Sequence, residues 1–249
     1  MKVTIITATY NSADTLTSSL ESVLEQDYPN IEHLIIDGGS TDNTLEIIQQ
    51  YCCADNNIQC YSEPDNGLYD AINKGINLAT GDIIGFVHSD DLLAHPEIIS
   101  DIVAYFEKGN YTGVYGNLLY VDRKDTDKVI RNWTSNIFHC NLLKRGWMPA
   151  HPTLFLKKEV YKECGSFDDS FRIAADYDFM LRVLSKNKYK FGFLPKVITK
   201  MRMGGKSNKK LKNIVIKSQE DLRAMRANDV KNPLVTLFLK NVSKLKQFI

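Results

Sequence analysis

The chain has 249 residues, 43% hydrophobic and 24% charged, the balance of an ordinary soluble globular protein with one large, well-buried core. Its five cysteines are odd in number and hold no Cys-x-x-Cys pair, which excludes a disulfide framework and a cysteine zinc site and fits reduced thiols in a cytosolic protein. The net charge of +1 hides an asymmetry: from Lys200 onward there are 13 Lys and Arg against 3 Asp and Glu, while the first 199 residues hold 18 against 27. An acidic body suits a bound cation, and a basic tail suits an anionic surface. The opening "MKVTIITATYN" turns polar too early for a secretory signal, and no apolar run approaches the length of a membrane span.

Along the chain, strands and helices alternate. "KVTIITAT" is β-branched and apolar and predicts a strand; "SADTLTSSLESVLEQ" follows with Leu16, Leu20, Val23 and Leu24 at helical spacing. "IEHLIID" predicts a second strand, ending at the turn "GGSTDNT", which opens the helix "LEIIQQYC". "IQCYSE" is a short third strand, and "GLYDAINKGINLA" is helical. "GDIIGFVHS" is the fourth strand and "PEIISDIVAYFEK" the helix after it. This alternation predicts an α/β protein with a mostly parallel sheet and helices on both faces. The second half is less regular: a strand at "TGVYGNLLYVD", another from Thr153 to Leu156, a helix at "AADYDFMLRVLSK", and a hairpin-like pair of short strands in "YKFGFLPKVITKMRM".

Ligands of such sheets bind beyond the carboxyl ends of the strands. Thr9, Tyr10 and Asn11 follow the first strand, Asp37 the second, Glu63 and Asp65 the third, and Asp90 with Asp91 the fourth. Adjacent anions at the edge of an apolar core are costly unless something positive sits beside them. No Lys or Arg neighbours them in sequence, so the pair suits a hard divalent cation, Mg²⁺ or Mn²⁺, held by one or two carboxylates with phosphates completing its shell. A solvated turn capping the next helix is the plainer alternative.

The segments "ITATYN", "LIIDGGSTDNT", "EPDNGLYDAINKG", "ATGDIIGFVHSDD", "MPAHPTLF" and "GSFDDSFRIAADYDFMLR" occur in order over residues 3 to about 205. As a set they resemble the family 2 glycosyltransferases of the GT-A fold. The resemblance implies a Rossmann-like nucleotide-binding part over about 1–115, an acceptor and catalytic part over about 116–205, and a basic helical tail over 206–249. It implies transfer of one sugar, with inversion, from a uridine-diphosphate sugar to a hydroxyl.

Carried onto this chain, the resemblance makes "HSDD" the metal-binding region, with Asp91 or Asp90 on Mg²⁺ or Mn²⁺. His88 stands where many relatives have an acid or Asn, which leaves open which aspartate is the ligand. Asp37 resembles the uracil-reading acid, with Gly38, which replaces a second Asp of many relatives, keeping the turn open for the base. Thr9, Tyr10 and Asn11 resemble first-strand nucleotide contacts, and Asp65 and Asp70 lie where relatives contact nucleotide and ribose. Asp70 as a helix cap and Asp37 as an Asx-turn are the local alternatives. Asp176 matches the family's general base, with Ala175 in place of the usual preceding acid; a helix cap is the alternative there too. Asp178 and Arg182 suit an i, i+4 pair. Trp147 and His151 are candidates for the acceptor or sugar wall, and Arg202, Lys206 or Ser207 for diphosphate contacts from a loop after the last strand. "MRMGGKS" is not a Walker A loop, because the pattern requires Gly where Lys200 stands.

The tail, with Leu234, Val235, Leu237, Phe238, Leu239, Val242 and Leu245 beside Lys240, Lys244 and Lys246, reads as an interfacial helix on the cytoplasmic face of a membrane. A helix packed on the body or a homodimer contact are its alternatives. A lipid-linked glycan acceptor, as in surface-polysaccharide assembly, would accord with the membrane reading. Nucleic acid is not expected, because the basic residues form no recognition motif. The competing functions are a sugar-phosphate nucleotidyltransferase, which wants a glycine-rich basic loop after the first strand, and a non-catalytic binding module, which needs no base.

Overall fold

The computed structural model describes residues 1–186, 188–204 and 211–243. Lys206, Ser207, Lys244, Leu245 and Lys246 lie outside them.

The first half follows the alternation. Strands β1 (Val3–Thr9), β2 (Ile31–Asp37), β3 (Ile58–Ser62) and β4 (Ile83–Phe86) pair in parallel, in the order β3-β2-β1-β4. Helices α1 (Ala13–Leu24), α2 (Thr44–Ala54) and α3 (Leu68–Leu78) connect them. Period-2 alternation sends β1 and β2 side chains to two cores. Ile6, Leu34 and Ile36 meet Ala71, Ile72 and Ile76 of α3 on one face. On the other, Ile35 packs with Leu16, Leu20 and Ile48 of α1 and α2, while Val3 and Ile5 join a neighbouring apolar cluster. Gly75 permits the close approach of α3 to β1, since a Cβ there would lie 2.5 Å from Ile6 Cγ2.

The second half is mixed. A short strand β5 (Asp91–Leu93) follows the β4 turn, then α4 (Ile98–Gly109), β6 (Gly113–Val121), β7 (Val129–Trp133), β8 (Phe155–Lys157), α5 (Lys158–Cys164), α6 (Ala175–Leu184) and β9 (Phe191–Arg202). The described strands make one nine-stranded sheet, β3-β2-β1-β4-β8-β6-β9-β5, with β7 on β6. Beyond β4 the pairs are antiparallel, except for parallel β6 and β9. The hairpin expected in 189–203 is one twelve-residue strand. Pro195 lacks an N–H, and the ladder to β6 shifts register between Tyr115 and Leu118 instead of breaking.

The tail forms α7 (Leu211–Ala227) and α8 (Pro233–Ser243), both docked on the body. Ala224 and Met225 are buried in the core, and Thr236 Oγ1 donates to Lys144 O at 3.1 Å. Lys240 does not face outward: its Nζ pairs with Asp221 at 2.8 Å, both side chains buried, and lies over the Tyr177 ring. Leu234, Val235, Phe238 and Val242 of α8 are exposed. No helix among the described residues is long and apolar enough to cross a membrane.

Candidate active site

The carboxyl ends of β1 to β4 share one rim. The β1 and β2 loops are laced together by Asn11, whose φ of 48° is one that Asn tolerates. Asn11 N–H donates to Ser40 Oγ and its Oδ1 accepts from Thr41 N–H, each at 2.8 Å. Asn11 is thus engaged in holding the turn. Thr9 Oγ1 is buried beside it with no partner, and Tyr10 is half exposed above.

Asp37 is fully buried and accepts four hydrogen bonds: Gly39 N–H (3.1 Å), Ser40 N–H (3.0 Å) and Ser62 Oγ (2.7 Å) on Oδ2, and Ser40 Oγ on Oδ1. A carboxylate has about four lone-pair sites. Three of these bonds fall on Oδ2 and one on Oδ1, so Asp37 builds the turn, as an Asx-turn would, and Oδ1 keeps acceptor capacity. The space over Gly38 is not open. A Cβ there would lie 2.3 Å from Asp65 Oδ2, so the Asp65 carboxylate occupies the place of a side chain at 38. Its other oxygen accepts Gly67 N–H at 2.9 Å. Asp70 reaches back to Asn66 N–H at 2.9 Å and lies 3.5 Å from Lys74, bracing the loop that leads into α3.

The β4–β5 turn is held by α1. Thr15 Oγ1 donates to Ser89 O and Ser19 Oγ to His88 O, both at 2.9 Å. Asp91 begins β5, paired opposite Met201 of β9. It is 1% exposed; Oδ1 accepts Arg202 N–H at 3.3 Å, and Oδ2 is buried with no partner. Burial, and after it the Asp90 charge, pushes the Asp91 carboxyl well above the usual carboxylate range.

A resident cation does sit beside the pair. Arg202 packs against it, but its guanidinium is engaged elsewhere: Nε on Arg123 O (3.1 Å), one terminal nitrogen on Asp90 O (3.1 Å) and the other on Ser18 Oγ (2.9 Å). Buried and bonded on all three nitrogens, Arg202 is a strut of the turn.

A divalent cation fits what remains. An orphaned, desolvated carboxylate oxygen beside a second, partly exposed carboxylate is a hard-oxygen donor set for Mg²⁺ or Mn²⁺. Among the described residues no group of three or more His, Cys, Asp or Glu can hold a metal, so phosphate and water oxygens would complete the shell.

Asp176 lies in the first turn of α6, with Oδ1 accepting the N–H of its neighbour Tyr177 at 2.8 Å. Two groups register both carboxylate sets at once. The Tyr120 phenol, raised by burial and opposed by Arg131, is raised further by Asp91 and Asp176. The His88 imidazole, lowered by burial, is drawn back up by Asp90 and Asp176. Tyr69, raised first by burial, also responds to Asp176, and its hydroxyl donates to Ile173 O at 2.7 Å. Tyr69 lies within the segment "EPDNGLYDAINKG" but has no expected role there, and Tyr120 lies in no such segment and is brought into place by strand pairing distant in sequence.

The two residues expected at the acceptor or sugar wall both pack on aromatic rings. Trp147, partly buried, stacks on Phe138 (5.8 Å between ring centroids) and meets Tyr115 edge-on (5.8 Å). His151 stacks on Phe86 at 5.1 Å and is 8% exposed; burial, then the His88 charge, pushes it down to about 3. It is a neutral floor beneath His88, at 6.0 Å between rings. Asp178 pairs with Arg182 Nε at 2.8 Å, as their spacing predicts.

Comparison with known proteins agrees with this architecture. The chain is 33% identical over 186 residues to an uncharacterized glycosyltransferase of Mycobacterium tuberculosis (strain ATCC 25618 / H37Rv), covering 72% of this chain and 68% of the relative. It is 27% identical over 214 residues to a PGL/p-HBAD biosynthesis glycosyltransferase of the same strain, covering 82% and 78%. In fold it is similar to S. aureus TarS 1-349 in complex with UDP-GlcNAc, with TM-score 0.74 and 20% identity over 92% of this chain and 66% of that one. It is likewise similar to the mannosyltransferase PcManGT from Pyrobaculum calidifontis in complex with GDP-Man and Mn²⁺, with TM-score 0.69 and 18% identity over 99% and 72%. Residues 4–173 match the profile of Glycosyl transferase family 2. The chain therefore belongs to glycosyl transferase family 2 and is a glycosyltransferase of the GT-A, Rossmann-like fold.

Proposed function

We propose that this glycosyltransferase moves one sugar, with inversion, from a uridine-diphosphate sugar to a hydroxyl of a lipid-linked glycan, and that it depends on a divalent metal. The observation that carries the reading is the orphaned Asp91 oxygen, supported by the charges of Asp91 and Asp176 both acting on Tyr120 and those of Asp90 and Asp176 both acting on His88. Asp91 and Asp90 would hold Mg²⁺ or Mn²⁺, which would neutralise the diphosphate as it leaves. Asp176 takes the proton of the acceptor hydroxyl as that oxygen attacks the anomeric carbon. The new C–O bond forms as the bond to the diphosphate oxygen breaks, and the nucleoside diphosphate carries away the electron pair. Asp65, a partly exposed carboxylate lying over Gly38, would contact the nucleotide. The binding of UDP-GlcNAc by TarS and of Mn²⁺ by PcManGT supports donor class and metal.

The exposed Leu234, Val235, Phe238 and Val242 of α8, together with the basic tail, support peripheral seating on the cytoplasmic face of a membrane, where a lipid-linked acceptor is presented. The test is UDP release from UDP-glucose, UDP-galactose and their N-acetylated forms, with Mn²⁺, for the parent and Asp176→Asn. The expected result is turnover of one donor, reduced by roughly 10²–10⁴-fold in the variant with donor affinity retained. Parent-like turnover by Asp176→Asn would overturn the base assignment, and turnover of GDP-mannose alone would overturn the uridine assignment.

A further inference from the structure

Helix α6 begins without a cap of its own. Its N-cap is Ala174 and its first residue Ala175, and neither side chain can accept the free N–H groups of the first turn. Within the turn Asp176 Oδ1 accepts Tyr177 N–H; the tail supplies the acceptor for the N–H of the N-cap, Ala174, and of the two residues before it. Glu220 of α7 places Oε1 on Arg172 N–H at 2.9 Å and Oε2 on Ile173 N–H at 2.8 Å and Ala174 N–H at 2.9 Å. An anion there also complements the positive end of the α6 dipole. The same stretch is gripped from its other side, where the Tyr69 hydroxyl donates to Ile173 O.

Three more contacts tie the tail to this turn. Arg223, one helical step from Glu220, donates to Ser170 Oγ at 2.7 Å and lies over the Phe171 ring at 4.1 Å. Asn228 donates to Asp178 Oδ1 at 2.9 Å. Lys240 of α8 lies over the Tyr177 ring. Asp176 sits between the residues that Glu220 holds and those that Asn228 and Lys240 hold.

We propose that Glu220 is a positioning residue for Asp176: an anionic cap delivered from the tail fixes the first turn of α6 and thereby aims the Asp176 carboxylate at the acceptor. The inference rests on Asp176 being the base. It makes the tail part of the catalytic apparatus, whatever else its exposed face contacts.

The experiment uses the full chain as Glu220→Ala, Glu220→Gln and Asp176→Asn, with UDP release, UDP affinity with Mn²⁺, and amide hydrogen exchange over 168–180 as readouts. Glu220→Ala is expected to lower kcat by roughly 10–100-fold, since small misplacements of a catalytic group cost that much, with faster exchange at Arg172, Ile173 and Ala174. Donor KM and UDP affinity are expected to stay within about twofold of the parent, the mark of an interaction that acts on the chemical step. Glu220→Gln, which keeps one acceptor oxygen, is expected to recover most of the rate. If Glu220→Ala does not fold, Glu220→Gln alone is expected to show a lower kcat at unchanged KM. A kcat within about twofold of the parent despite faster exchange, a loss shared equally by UDP affinity, or a Gln variant no better than Ala would overturn the proposal. Parent-like turnover by Asp176→Asn would instead overturn the base assignment beneath it, so the two failures are distinct.

Discussion

Asp37 and Asp91 close neighbouring parts of one rim, and both are buried to within 1% of complete, yet they are opposite kinds of carboxylate. Asp37 accepts three hydrogen bonds from the turn it closes and a fourth from Ser62 at the end of β3. Asp91 accepts one long bond and leaves an oxygen with nothing to hold. Burial alone therefore does not separate the two acids; the unfilled lone pair does, and it is what singles out Asp91 in the proposed site. A filled carboxylate stabilises the fold, whereas an unfilled one destabilises it until a ligand arrives.

The largest test of this contrast is stability. Asp37→Ala strands two backbone N–H groups and two hydroxyls, which costs about 3 kcal/mol and lowers Tm by roughly 6–12 °C for a chain of this size. Asp91→Asn has the opposite sign: it removes a desolvated charge while keeping the acceptor for Arg202 N–H, and raises the Tm of the metal-free protein. Thermal unfolding in chelator checks both, and a drop for Asp91→Asn would break the comparison.

A smaller effect comes from acid. Burial holds His33 at about 4, with Asp55 opposing, and His151 at about 3, so both are neutral in the fold. Their folded values lie below the ordinary 6.5, so the unfolded chain binds more protons. Their contribution is whole above pH about 6.5 and is lost as pH falls towards 4 and 3, by up to about 1.4 kcal/mol per unit for each imidazole. Denaturant titrations at descending pH check this; a flat profile to pH about 5 would contradict it.

The smallest effect is Gly38→Ala. The new Cβ must displace the Asp65 carboxylate, the movable end of a side chain, so stability changes by about 0.5 kcal/mol or less. UDP affinity is expected to fall a few-fold, and an unchanged affinity would remove Asp65 from the nucleotide site.

Much of this was legible in the chain. The β-branched runs with helical periods between them specified β1 to β4 and α1 to α4, and parallel topology placed Thr9, Asp37, Asp65 and Asp90 on one rim before any coordinates. What escaped depends on partners far away in sequence. β5 is three residues long and exists because β9 pairs with it. The pair of short strands expected in 189–203 is one strand because a register shift against β6 carries it through. Arg202 was unforeseen beside Asp91 because they are 111 positions apart, and Glu220 beside Ala174 because they are 46 apart. Local motifs identify which acids reach the rim; only packing decides which of them are already satisfied.

The most direct test of the account is calorimetric titration of UDP into the parent and Asp91→Asn, each with and without Mn²⁺. The account predicts metal-dependent binding in the parent and its loss in the variant, with the folded state intact. Equal binding with and without Mn²⁺, or retention of metal-dependent binding by Asp91→Asn, would contradict it.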